Sequence, residues 1–223
     1  MSKKILVVAP HPDDETLGVG GTIAKYIENG DKVSILTVSG HLPPLYGEGA
    51  FEETLDEARE AYKILGVTDS VFLKIPATLI GEQPVSEFNK KIDDVVVQVE
   101  PDVVFTPYPD RHVDHRLVFD SVLVATRPVN HGINIEMVAA YETLSETHWN
   151  APHIEPNYTP NWVVDITQQM GKKEAALRCY SSQIPPFPGA RSIEAMKSLA
   201  VFRGTQVGVA YGEGFHIIRK LNI

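Results

Sequence analysis

Apolar residues in this chain fall into short solid runs, separated by longer stretches with the period of a helix. Residues 4–9 (KILVVA) end in an unbroken apolar run, the pattern of a strand covered on both faces. Comparable runs at 32–38, 71–75, 102–108, 137–143 and 162–166 predict further strands, with a last one near 215–219. Between them, residues 16–29, 52–65, 85–99, 115–127, 168–180 and 192–202 read as helices. Asn29-Gly30, Gly66 and Glu100-Pro101 supply stops. This alternation predicts an α/β fold, a Rossmann-like three-layer sandwich around a mostly parallel central sheet. If the strand order is 3-2-1-4-5, strands 1 and 4 are neighbours. They then flank the switch point where such sheets open a ligand crevice at their carboxyl ends.

Length changes this picture little: 223 residues suit one domain over 1–223. A formal net charge of −9 disfavours nucleic acid and anionic membrane as partners, since both select basic patches. The lone cysteine, Cys179, permits neither an intrachain disulfide nor a cysteine-based zinc cluster. No run approaches the ~20 apolar residues of a membrane span, so no membrane insertion and a cytoplasmic location are expected. Two proline-rich stretches, 148–162 and 181–189, have the length and composition of active-site loops.

The chemistry concentrates where strands 1 and 4 end. His11-Pro12-Asp13-Asp14 follows the first, and Asp110-Arg111-His112-Val113-Asp114-His115 the second. Together they hold three imidazoles and four carboxylates, a donor set suited to a divalent metal such as zinc. His11 and Asp14 can ligate from one tight turn, leaving Asp13 to take a proton from a metal-activated water. The second cluster adds one ligand and a spare imidazole, with His112 and His115 both open for that place. Taken alone, the acids of DDET also read as a helix N-cap. A dinucleotide site at Gly18-Val19-Gly20-Gly21 is disfavoured: G-x-G-x-x-G is absent, and the acids would repel a pyrophosphate.

The segment APHPDDETLGVGG, followed about a hundred residues on by DRHVDH, resembles the PIG-L/LmbE-like family of zinc-dependent N-acetylglucosaminyl deacetylases. Further matches are Glu57, Ala61, Leu65 and Gly66 of a helix motif, Arg203-Gly204-Thr205-Gln206, and Tyr211-Gly212-Glu213-Gly214-Phe215. The resemblance implies one Zn²⁺ per chain, or another divalent metal, on His11, Asp14 and His115. It implies Asp13 as general base, and His112 as an imidazolium that steadies the oxyanion, oriented by Asp114. Asp110, His41, Arg203 and Glu213 are candidates for substrate contact, with a buried Arg203–Glu213 pair as the structural alternative. Two positions depart from the family pattern, Thr54 where an Arg is frequent and Gly40-His41 where Gly-Glu or Gly-Asp is common, and both fall where substrate would be held.

The expected activity is removal of the N-acetyl group from an N-acetylglucosamine-type sugar or glycoconjugate. The alternatives are a related amidase acting on another acyl group, or a non-catalytic metal- or sugar-binding module. The expected partner is a small N-acetylated sugar, with homo-oligomerisation left open.

Overall fold

A computed structural model describes residues 2–151 and 153–221, and its strands form one seven-stranded sheet. They are β1 (Lys4–Ala9), β2 (Lys32–Gly40), β3 (Asp69–Pro76), β4 (Val103–Pro107), β5 (Met137–Tyr141), β6 (Trp162–Asp165) and β7 (Gly212–Lys220). Their order is β3-β2-β1-β4-β5-β7-β6. The first five strands are parallel, and β7 runs antiparallel to both β5 and β6. The expected 3-2-1-4-5 order holds, and β7 and β6 extend it on the β5 side.

The helices are α1 (Asp14–Glu28), α2 (Ala50–Leu65), α3 (Val85–Val99), α4 (Val113–Ala125), α5 (Met170–Leu177) and α6 (Ile193–Thr205). Side chains of a strand alternate between faces, and β1 shows why both faces must be apolar. Ile5 and Val7 join a core with α1, α2, α5 and α6, whereas Leu6 and Val8 join a second core with α3 and α4. The molecule is therefore the three-layer α/β sandwich that the alternation predicts. No helix among the described residues is long and apolar enough to cross a membrane.

Three helices start two residues earlier than the hydrophobic period suggests, α2 at Ala50 among them. α1 begins at Asp14 and α4 at Val113, so the acids and imidazoles lie in or just before the first helical turns. There the helix dipole favours acids. The glycines of α1 serve packing. A Cβ on Gly18 would lie 2.3 Å from a Tyr141 ring carbon and 2.8 Å from the Glu142 carbonyl oxygen, and one on Gly21 would lie 2.7 Å from Ile166. The glycine-rich run thus lets α1 press against β5 and the segment after β6, which leaves the dinucleotide reading without support.

Candidate active site

β1 and β4 are adjacent and parallel, so the loops that follow them open at the same end of the sheet. That juxtaposition closes the two sequence clusters around one point. The rings of His11, His112 and His115 lie 4.6–5.5 Å apart, centre to centre, and can each offer a nitrogen within 4.8 Å of the others. Asp14 Oδ2 lies 3.2 Å from His11 Nδ1 and 3.3 Å from His115 Nε2. His11, Asp14 and His115 therefore converge as expected.

The opposite nitrogen of each of the two imidazoles meets a carboxylate. Asp114 Oδ2 is 2.9 Å from His11 Nε2, and Asp110 Oδ2 is 3.0 Å from His115 Nδ1. A carboxylate on the far nitrogen is the usual support of a metal-ligating histidine. Asp14 Oδ1 and His115 Nε2 are buried without a hydrogen-bond partner, which is costly for polar atoms unless something else engages them. Charge points the same way. Burial opposes a proton on His115, but Asp14 and Asp110 outweigh it and raise its pKa to about 10. Burial opposes ionisation of Asp14 too, and His115 and His11 still hold it well below the usual carboxylate range. The carboxylates of Asp14 and Asp110 thus favour positive charge at this point, and the donor set, with His115 deprotonated, fits a divalent cation.

His112 is placed differently. It caps α4, and its Nδ1 accepts the Asp114 backbone N–H at 3.1 Å. Accepting there puts the neutral ring's proton on Nε2. Burial, with charge on His11 and His115, lowers its pKa to about 4. In its neutral form the ring therefore offers Nε2–H as a donor. The expected role of Asp114 changes: it meets His112 only through its amide, while its carboxylate serves His11 and accepts the Thr78 N–H at 2.8 Å.

Asp13 precedes α1 at a φ of 108°, a left-handed conformation that costs a non-glycine residue about 1–3 kcal/mol and clusters at functional sites. Its side chain makes no capping bond, so the helix-cap reading of DDET does not hold for this residue. Glu15 accepts the Asp13 N–H at 3.3 Å and is anchored by the hydroxyls of Thr16 and Tyr180. The Asp13 carboxylate is buried, with Oδ1 unpartnered. Burial raises its pKa to about 7, against the pull of Arg191.

Three of the expected substrate contacts belong to the frame. Asp110 is 1% exposed and fully engaged: it supports His115 and accepts the His112 N–H and the Thr147 hydroxyl. Arg203 and Glu213 are both buried but not with each other. Arg203 grips Glu142 through two nitrogens at 2.7 and 2.6 Å. Glu213 pairs with Lys173 and accepts the N–H groups of Gly21 and Thr22 inside α1. A charge buried within the fold needs such partners. His41 stays a candidate: it follows β2, is 6% exposed, and has an unpartnered Nδ1. Burial, with His11 and Arg191 nearby, lowers its pKa to about 4, so it meets a ligand as a neutral imidazole. Thr54 turns its hydroxyl back onto its own helix, to the Ala50 and Phe51 carbonyls.

The structure also brings in a residue that sequence reasoning missed. Arg191 lies two residues beyond the second proline-rich stretch, and its Nη1 sits 3.1 Å from Asp13 Oδ2. No motif marks it; the only signal is a lone arginine beside a segment already suspected of lining the site.

The frame around His115 carries its own prediction. Asp110→Asn keeps the size of the side chain but loses its charge. Metal affinity should fall about 10–100-fold, measured by competition with a chromogenic chelator. Unchanged affinity would remove Asp110 from the support of the ligand set.

Comparison with known proteins agrees with this geometry. The PIG-L family, described as GlcNAc-PI de-N-acetylase, matches residues 6–126, the span that carries both clusters. The diacetylchitobiose deacetylase of Thermococcus kodakarensis is 30% identical over 232 residues, covering 97% of this chain and 83% of that protein. The N,N'-diacetylchitobiose deacetylase of Pyrococcus horikoshii, solved with an inhibitor, superposes with a TM-score of 0.77 at 28% identity, covering 97% of this chain and 84% of that one. A 4-carboxy-2-hydroxymuconate hydratase from Pseudomonas putida shares the fold with a TM-score of 0.79 at 21% identity, covering 99% of this chain and 98% of that one. Fold alone therefore does not select the reaction, but a family match over more than half the chain, on the residues that build the site, does select the family: this chain belongs to the PIG-L family.

Proposed function

We propose that the protein, as one domain over 1–223, is a zinc-dependent hydrolase that removes the N-acetyl group from an N-acetylglucosamine-type sugar or glycoconjugate in the cytoplasm. The observation that carries this reading is the carboxylate-backed pair His11 and His115 closing on Asp14, with the unpartnered Asp13 Oδ1 beside them. The deacetylases it resembles act, by their names, on N-acetylated sugars. His11, Asp14 and His115 would hold the metal, which when bound polarises the acetamide carbonyl and acidifies water.

The remaining steps fall to the chain's own residues. Asp13 takes a proton from the attacking water and returns it to the departing amine, so that acetate and a free amino sugar leave. His112 donates its Nε2–H to the developing oxyanion, and the Asp114 amide fixes the tautomer that makes this a donor. His41, neutral and unpartnered, is suited to a sugar hydroxyl. Exposed aromatic rings at Tyr46 and Trp149, on the loops after β2 and β5, offer apolar faces on which a sugar ring can stack.

The test is acetate release over a panel of free, disaccharide, nucleotide-linked and lipid-linked N-acetyl sugars, with zinc-loaded and chelator-treated protein in parallel. Release by the loaded protein alone is expected. Release by both preparations alike would end the metal assignment, and silence over the panel would end the deacetylase reading.

A further inference from the structure

Resting on that reading, we propose that Arg191 is the positioning residue of the general base: its guanidinium holds Asp13 Oδ2 so that Oδ1 alone is presented to the reacting water. Three contacts carry this. Nη1 donates to Asp13 Oδ2 at 3.1 Å, Nε donates to Ser145 Oγ at 3.0 Å, and Nη2 lies 3.6 Å from Glu146 Oε1. The planar fork is therefore fixed at one edge by the turn after β5 and spends the other on the base. Only one Asp13 oxygen is engaged; the other is buried and bare. A carboxylate gripped this way loses rotation about its terminal bond, and catalytic groups held in one orientation lose less on reaching the transition state.

The neighbouring contacts show that this placement is built. Ser145 is 3% exposed and adopts a φ of 74°, which turns its hydroxyl to Arg191 within the strained turn. Two residues on, Thr147 donates to Asp110, the carboxylate behind His115. One short turn thus ties the base to the ligand set. On the other side, Arg191 closes the loop that begins at Ser181 and Ser182, where Glu57 accepts both hydroxyls and the Ser182 N–H at 2.7–2.9 Å. Ser192, directly after Arg191, caps α6. The proline-rich stretch is clamped at both ends and delivers the guanidinium.

The experiment is a cycle of wild type, Arg191→Ala, Asp13→Asn and the double variant, each assayed for kcat, KM, bound zinc and melting temperature. Arg191→Ala should keep its zinc and change KM less than threefold, while kcat falls about 10–100-fold. In the Asp13→Asn background the same truncation should change kcat less than threefold, because a residue acting only through the base has nothing left to position. Millimolar guanidinium should restore part of kcat to Arg191→Ala, and Arg191→Lys, which keeps the charge but not the fork, should lie between the two. If truncation lowers the melting temperature enough to cloud the comparison, Arg191→Lys and the rescue decide.

An active wild type with Arg191→Ala within threefold in kcat overturns the role. So does a loss confined to KM, which would make Arg191 a substrate contact, or an equal loss with and without Asp13. A wild type inert over the whole panel removes the hydrolase reading and, with it, this role.

Discussion

Asp13→Asn is expected to bind zinc as the wild type does and to lose about 10²–10⁴ in kcat, the usual contribution of a positioned general base. The substitution keeps the shape of the side chain, and Asp13 touches none of the three expected ligands through a side-chain hydrogen bond; its side-chain partner is Arg191. The wild-type profile should show an acid limb near pH 7, because burial lifts the Asp13 carboxyl to about 7 and it must be ionised to accept a proton. Activity therefore rises with pH through that value. No matching alkaline limb is expected from His112, which is already neutral above about pH 4 and stays a donor. A bell with its alkaline side abolished in His112→Ala would restore the imidazolium role, and an Asp13→Asn enzyme within tenfold of wild type would show that another group takes the proton.

The parts of this site that were legible in the sequence are those with local causes. A short solid apolar run such as residues 5–9 fits a strand buried on both faces, so the central sheet and its layers follow from residues such as Ile5 and Leu6 facing opposite cores. Ligand-type residues crowded at a strand end stay together whatever the rest of the chain does. His11 and Asp14 share one such end, and His115 meets them because β1 and β4 lie side by side, as the assumed 3-2-1-4-5 order places them. What did not show was which partner each charge finds across long separations. Arg203 and Glu213 lie ten residues apart in the sequence, yet Arg203 pairs with Glu142 and Glu213 with Lys173, because each carboxylate arrives on a different strand end. Arg191 reaches Asp13 across 178 residues, a contact that depends on how the 181–189 stretch is clamped to Glu57. The tautomer of His112 is set by a backbone amide, which carries no side-chain signature.

Arg203→Ala should destabilise the protein by ~3–5 kcal/mol, the cost of stranding one partner of a buried pair. Glu142, 4% exposed in the wild type, would keep only His148, at 3.1 Å, of these two side-chain partners. The deficit should also depend on pH in a defined direction. In the wild type, burial opposes the ionised form of Glu142, and Arg203 outweighs it and holds the carboxyl below its ordinary value of 4.5. The stabilisation from the pair is therefore fully present above that value and is lost as pH falls through the lowered one. Without Arg203, burial dominates and the carboxyl prefers its proton, so the variant is penalised most where Glu142 is ionised and recovers as acid neutralises it. Both effects shrink the gap between the two proteins toward low pH. Denaturant melts at pH 7 and pH 4.5 should show the larger difference at pH 7, and a double variant, Arg203→Met with Glu142→Leu, should regain most of the loss because no buried charge remains unpaired. An equal deficit at both pH values would mean that the side chain's packing, not its charge, holds α6 against the end of β5.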